Sequence, residues 1–309
     1  MQLKCDCCGG LDFSILGNHQ DFKDSYWVYC KKCKFIKINP LPTDLQINLF
    51  YQSEYGVMRE RRGINLNSFD LRAKSQFEFI LESIITIKSN LPHKKIRILE
   101  IGCGPASLLS LFDDFNVEGI GYEPDSIIFE IAKNRHLRNF TLVNSVFSTN
   151  KIMPNSLDLI IMSHVLEHYP NPLEFLKSIL PLLTPDGVIF LEVPNLGKRL
   201  VLQFIRRRHQ DTGHLYYWNI ENLSLLIEKI PGTIIKVQTA GPNIKDYNFP
   251  YPIPRNRREI IHQIIEKIYS QFINHVQLKQ RNKISQSDLN SFLPQKNDAG
   301  IYLRMIIKK

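Results

Sequence analysis

From residue 97 to residue 193, short and almost unbroken apolar runs alternate with amphipathic ones. The apolar runs, Arg97–Ile101, Gly119–Tyr122, Phe140–Val143, Leu157–Met162 and Val188–Val193, predict five strands. Segments such as LDLIIM and GVIFLEV carry so few polar positions that neither face of the strand is expected to meet water. The amphipathic stretches, Ala106–Phe112, Ser126–Arg135 and Pro172–Leu183, space their apolar residues as helices do. Such alternation predicts a parallel sheet with helices on both faces. Thr184-Pro185-Asp186-Gly187 reads as a turn before the fifth strand.

The flanks follow other patterns. Thr43 can cap a first helix carrying Leu45, Leu49 and Phe50, and Phe77, Ile80, Leu81, Ile84 and Ile85 form an apolar stripe on a later one. Helices in this stretch are expected across the mouth of the sheet domain. After Pro194 come a basic helix with Arg206, Arg207 and Arg208, the segment HLYYWN, a helix from Glu221 to Ile230, a strand from Thr233 to Thr239 and a last strand from Ile301 to Ile307. A helical insertion of about residues 241–298 precedes the last strand. Its Ile260, Ile261, Ile264, Ile265, Ile268, Phe272 and Val276 share one helical face, expected to pack on the domain or on a second copy of the chain. Peripheral docking on a membrane through this basic insertion is the minor alternative. No apolar run reaches the eighteen or so residues of a membrane span.

Composition narrows the class. At 309 residues, with 43% hydrophobic and 22% charged side chains, the chain fits an ordinary globular protein with a sizeable core. The start MQLKCDCC lacks the apolar stretch of a secretory signal, so a cytoplasmic location is expected. The net charge of +9 is uneven: residues 97–196 hold 6 basic and 12 acidic side chains, residues 197–309 hold 19 and 8. A basic carboxyl-terminal third suits an anionic small substrate, a nucleic acid or an acidic membrane surface.

Five of the six cysteines lie within the first 33 residues, a clustering that in a reducing compartment points to metal rather than disulfides. Cys5-x-x-Cys8 and Cys30-x-x-Cys33 form two knuckles of a four-thiolate zinc site with no open position, hence structural zinc, with Cys7 a spectator. Residues 1–42 then make a zinc ribbon, closed by the stiff Asn39-Pro40-Leu41-Pro42, residues 43–94 a helical cap, and residues 95–309 the main domain.

The segment Leu99-Glu100-Ile101-Gly102-Cys103-Gly104-Pro105-Ala106 sits at a strand-to-helix turn, where Gly102 and Gly104 let backbone approach a ligand. Ser107 breaks the dinucleotide fingerprint G-x-G-x-x-G. Glu123 ends the second strand, placed to accept hydrogen bonds from ribose hydroxyls. Asn144 and Ser145 follow the third strand, either at an adenine edge or as a plain polar turn.

These motifs, with LDLIIMSHVLEHYPNPLEFLKSILPLLTPDGVIFLEVPN, resemble the class I S-adenosylmethionine-dependent methyltransferases over roughly residues 95–240 and the final strand. The resemblance implies an α/β, Rossmann-like methyltransferase sheet with Glu100, Gly102 and Gly104 at the methionine part of the cofactor and Glu123 at the ribose. Residues after the third and fourth strands, among them Asn144, Ser145 and His164, would flank the adenine and sulfonium. His164, Glu167 and His168 otherwise read as pocket-lining or structural, since H-x-x-E-H lacks an evident third metal ligand. His214, in a Gly-His step followed by aromatics, is the candidate base, with a packed loop histidine as the alternative. Related zinc-bearing sugar C-methyltransferases carry a catalytic histidine in a similar loop and tyrosines like Tyr51 and Tyr55; their further carboxyl-terminal domain is not expected within these 309 residues. The expectation is methyl transfer to a hydroxyl or carbon of a small anionic metabolite, such as a sugar nucleotide or surface-polysaccharide precursor. An RNA methyltransferase with a zinc-ribbon recognition module is the rival, although Met162-Ser163-His164 departs from the signature for methylating base amines. A catalytically silent partner protein that binds S-adenosylmethionine is the third possibility, and a homo-oligomer is compatible with all three.

Overall fold

Residues 3–50, 65–90, 95–196, 213–243, 294–295 and 300–309 are described by the structure, a computed structural model. Tyr51, Tyr55, Arg206 to Arg208 and the apolar stripe of the insertion lie outside the described residues.

Five strands run parallel in the spatial order β6-β5-β4-β7-β8: β4 (Ile96–Ile101), β5 (Val117–Tyr122), β6 (Phe140–Val143), β7 (Leu157–Ser163) and β8 (Leu183–Pro194). Beyond β8 lie β12 (Gly300–Lys308), β10 (Thr233–Asn243) and β11 (Pro294–Gln295), each antiparallel to its neighbour. The parallel sheet expected from the strand and helix repeat therefore stops at β8. The last strands are joined by the insertion, and antiparallel pairing needs no crossover helix.

Local chemistry accounts for the departures from the expected boundaries. Thr184 to Gly187, expected as a turn, is a bulge inside β8: Leu157 pairs with Leu183 and Leu159 with Val188, so two steps on β7 face five on β8. Helix α5 (Pro172–Ile179) ends early and passes into a 3-10 turn at 180–182, where Pro181 removes a helical N–H. Helix α4 (Ser126–Lys133) starts on an Asp125 cap that accepts from the Ile128 N–H at 3.0 Å. Helix α6 (Ile220–Ile227) starts on a reciprocal Asn219–Asn222 capping box.

Two apolar layers flank the sheet. On one face α2 (Leu66–Asn90) and α3 (Ser107–Phe112) bury Phe79, Ile80, Leu109 and Phe112 against Ile98, Phe190 and Ile306. The other face joins the amino-terminal module without a break. Strands β1 (Phe13–Asn18), β2 (Tyr26–Cys30) and β3 (Ile36–Asn39) form an antiparallel ribbon whose fourth strand, β9 (Tyr216–Tyr217), comes from the main domain. Phe35 stacks on Tyr216 at 5.7 Å, Trp27 meets Tyr217 at 5.1 Å, and both belong to the same buried cluster as Leu191, Leu223 and Trp218. Each such buried aromatic contributes about 2 kcal/mol of transfer free energy, so much of what holds the ribbon is its contact with the main domain.

Candidate active site

Strand order reverses between β4 and β7, with β5 and β6 on one side and β8 on the other. In an open α/β sheet, ligands bind in the crevice at the carboxyl ends of the strands that flank such a reversal. The loop Gly102–Ala106 leaves β4 at that point, and Ser163–His164 ends β7 beside it. Position 102 requires glycine twice over: its φ is +69°, and a Cβ there would lie 2.8 Å from Val165 Cγ2. Ala106 also takes a left-handed φ of 54°, which costs a residue with a side chain about 1 kcal/mol, and α3 begins one residue later than its apolar pattern implies. Arg135 clamps this loop. Its Nε donates to Pro105 O at 2.5 Å, and one Nη donates to Asp70 at 2.6 Å and to Ser107 Oγ at 2.9 Å. Through Asp70 and Phe69 the first turns of α2 lie against the glycine loop.

Glu123 is buried, and each of its oxygens accepts a backbone N–H, from Gly104 at 2.9 Å and from Asp125 at 2.8 Å. The carboxylate is thus fixed at the rim of the glycine loop. Asn144 Nδ2 donates to the Glu123 and Pro124 carbonyls, at 2.8 and 3.3 Å, so its amide braces the end of β5. Ser145 Oγ is buried without a hydrogen-bond partner. Glu100 is buried at the end of β4; burial pushes its carboxyl well above the ordinary range, Glu123 adds to this and Arg72 opposes it.

A second group of polar side chains gathers where β7, β8 and β12 meet. Glu192 is fully buried, faces Arg304 across the β8–β12 ladder and accepts from Arg304 Nε at 2.5 Å and Gln76 Nε2 at 2.6 Å. Burial disfavours its charge, but Arg304, His164 and Arg72 outweigh this and hold Glu192 ionised. His164, with a left-handed φ of 57°, lies between two carboxylates: Nδ1 is 3.2 Å from Glu167 and Nε2 3.5 Å from Glu192. Burial opposes its protonation, yet the two carboxylates raise its pKa above the ordinary value. Glu167 is fully buried and neither oxygen receives an aligned hydrogen bond. Burial works against its charge too, but the surrounding histidines bring its pKa down to about 2.

His214 closes the group. Its Nε2 lies 3.9 Å from Glu167, its ring meets His168 edge-on at 4.8 Å, and its Nδ1 is buried without a partner. His168 Nδ1 lies 3.0 Å from Gly213 O and serves as the donor there. Burial and the neighbouring His214 lower the His168 pKa to about 4, so the ring is neutral. A carboxylate next to an imidazole stabilises the cation formed when the ring takes a proton. Donor atoms of Glu167, His168 and His214 all lie within 4.8 Å of one another, close enough that the three could hold a metal ion. The third residue that H-x-x-E-H lacked in sequence is thus His214, 46 positions after His168.

In the ribbon, Cys5 and Cys33 Sγ are 3.6 Å apart and Cys8 and Cys30 Sγ 3.5 Å. Four thiolates at about 2.3 Å from zinc define a tetrahedron with edges of about 3.8 Å, so the four fit that ion. The Gly10 N–H points at Cys8 Sγ from 3.4 Å. Lys34 takes a left-handed φ of 64° in the second knuckle, the conformation Gly9 takes in the first, at 69°.

A family profile described as "Methyltransferase domain" matches residues 73–230, just over half of the chain. The chain belongs to this methyltransferase family. Among curated relatives, the ubiquinone biosynthesis O-methyltransferase of Haemophilus ducreyi is 29% identical over 107 residues, which cover 32% of this chain and 45% of the relative. The enzyme of the same name from Actinobacillus pleuropneumoniae is 31% identical over 107 residues, covering 32% and 46%. The chain thus spans about half the length of the curated relatives it matches. Among solved structures, a SAM-dependent methyltransferase from Archaeoglobus fulgidus is 19% identical with a TM-score of 0.44, covering 75% of this chain and 99% of that one. The plantazolicin methyltransferase BamL, solved with a triazolic desmethylPZN analog and SAH, is 13% identical with a TM-score of 0.48, covering 85% and 94%.

This methyltransferase carries site residues that the sequence pattern did not single out. Gln76 and Arg72 on α2, Glu192 on β8 and Arg304 on β12 meet only through sheet register and helix docking. The available signal was one charged residue of opposite sign in each of two apolar strands, GVIFLEV and IYLRMII. His19 and Asp21 in the ribbon also went unnoticed, although both bond to the His214 loop.

Proposed function

We propose that the chain transfers a methyl group from S-adenosylmethionine to a hydroxyl of a small anionic metabolite, with a carbon nucleophile as the less favoured acceptor. The observation that carries this reading is a pair of chemically distinct groups placed beyond the carboxyl ends of the parallel strands. In one, Glu123 and the glycine loop form a backbone-fixed cradle; in the other stands His214, backed by the buried Glu167. Glu123 would take the ribose, Glu100, Gly102 and Gly104 the methionine end, and Ser145 and His164 the flanks of the adenosyl group. The sulfonium supplies an electrophilic methyl group, so the protein has to align a nucleophile and remove its proton. His214 Nδ1 takes that proton while Glu167, on the Nε2 side, stabilises the imidazolium. His164 stands between Glu167 and Glu192, whose carboxylates favour its protonated form. Tyr51 and Tyr55 are assigned to the acceptor by their likeness to the tyrosines of the zinc-bearing sugar enzymes. Zinc on Cys5, Cys8, Cys30 and Cys33 is structural.

Oxygen is preferred as acceptor because the curated relatives bear the name O-methyltransferase. An anionic acceptor, with a sugar nucleotide as first candidate, is supported by the basic carboxyl-terminal third. The experiment is transfer of labelled methyl groups to a panel of sugar nucleotides, 3,4-dihydroxybenzoate and a short RNA hairpin. Turnover of a small anionic acceptor, lost in His214→Ala while calorimetric affinity for S-adenosylhomocysteine stays unchanged, is the expected result. Turnover of RNA alone, with the steep salt dependence of phosphate contacts, overturns the substrate class. Full activity of His214→Ala removes that residue from the chemistry.

A further inference from the structure

The peptide groups around His214 are held from two directions. From the main domain, His168 Nδ1 donates to Gly213 O at 3.0 Å and the Leu215 N–H donates to Glu167 O at 2.8 Å. From the ribbon, Asp21 Oδ2 accepts the Gly213 N–H at 2.8 Å, His19 Nε2 bonds to His214 O at 3.0 Å, and the Ile38 N–H donates to Leu215 O at 3.0 Å. The hydrogen bonds of His19 settle its tautomer. Its Nδ1 accepts the N–H groups of Asp21 and Phe22, both at 3.1 Å, so the proton sits on Nε2 and is donated to His214 O. The His19 ring is buried between Phe22 and Trp27, at 5.1 and 4.8 Å, and Trp27 packs on Tyr217 two places beyond Leu215. Gly213 needs this grip, because a φ of +73° leaves a glycine backbone free to leave the loop geometry once its hydrogen bonds go.

We propose that His19 and Asp21 are positioning residues for methyl transfer: the ribbon holds the Gly213–Leu215 backbone and thereby aims the His214 ring at the acceptor. This rests on His214 as the base and gives the ribbon a task beyond its own fold. A base must stand within hydrogen-bond reach of the proton it removes, and a shift of about 1 Å in a catalytic group costs about a hundredfold in rate. A ribbon anchored to the sheet by β9 and the Trp27–Tyr217 contact can resist such a shift.

The test uses the full chain with zinc bound and reads amide hydrogen exchange in peptides covering residues 213–217. Diethyl pyrocarbonate labelling of His214 is a second readout, and kcat and KM for the acceptor found in the panel are a third. His19→Asn keeps an acceptor near the Asp21 and Phe22 amides but loses the donor to His214 O; His19→Gln retains a donor; Asp21→Ala frees the Gly213 N–H. Loss of one hydrogen bond is expected to speed exchange at 213–217 by about tenfold in His19→Asn and Asp21→Ala, to raise His214 labelling, and to lower kcat at unchanged KM. Zinc content and S-adenosylhomocysteine affinity should stay at native values, and His19→Gln should recover most of the loss. In a His214→Ala background, His19→Asn should still speed exchange at 213–217. Native exchange and labelling in both His19→Asn and Asp21→Ala overturn the proposal, as does an unchanged kcat in both variants. An active His214→Ala single variant sinks the base assignment instead, so the two failures are distinguishable.

Discussion

Around the glycine loop the main chain makes the polar contacts: both oxygens of Glu123 are met by backbone N–H groups, and Asn144 braces two carbonyls. Around His164, Glu167 and Glu192, side chains meet side chains. Glu192 takes Arg304 and Gln76, His164 stands between two carboxylates, and Glu167 and His214 Nδ1 lack aligned partners. Backbone donors are fixed once the strand and turn form, so the first side is set by local structure. The second depends on the packing of α2, β8, β12 and the ribbon, and carries buried charge whose balance fails if one member is lost.

The sharpest way to break this contrast is to remove one buried charge. Arg304→Met leaves Glu192 without its main counter-charge and is expected to cost about 3–5 kcal/mol of folding stability. Urea denaturation followed by circular dichroism measures it, and Glu192→Gln with Arg304→Met together should cost less than the single change. A loss below about 1 kcal/mol in the single variant would show that this side tolerates imbalance.

Acid probes the same side. His168 titrates at about 4 in the folded chain, against an ordinary value near 6.5. The unfolded chain therefore takes up a proton first as pH falls, so the His168 contribution is complete above about 6.5 and is lost between there and about 4. Its size is at most about 3 kcal/mol, because the ring is partly exposed. Comparing native and His168→Asn chains by denaturation at several pH values isolates it from Glu100, whose raised pKa acts with the opposite sign. Parallel curves for the two chains would refute the assignment.

At the glycine loop the expected effect is smaller and confined to binding. Glu123→Ala removes the proposed ribose acceptors and the brace on Gly104, and should weaken calorimetric affinity for S-adenosylmethionine by about 2 kcal/mol. An unchanged affinity would take Glu123 out of the cradle.

The same contrast explains what could be read from the sequence. The glycine loop, Glu123, the five parallel strands and the cysteine knuckles are each encoded within a few consecutive residues, where turn sterics, apolar runs and ligand spacing act locally. His214 stood out by its Gly-His step, but its neighbours did not. Glu192 meets Arg304 through a strand register that no local pattern specifies, 112 positions apart. His19 carries no local signal, because only the pairing of β9 with β3 brings the His214 carbonyl to its ring. Bulge and turn chemistry look alike at Thr184 to Gly187, because both use proline and glycine to interrupt pairing.

The most direct test is a crystal structure of the chain soaked with S-adenosylhomocysteine. The account requires the ribose hydroxyls on Glu123, the amino-acid end along Gly102–Gly104, and the sulfur facing the His214–Glu167 pair across the crevice. A ligand bound elsewhere, or no ligand at the glycine loop, would contradict it.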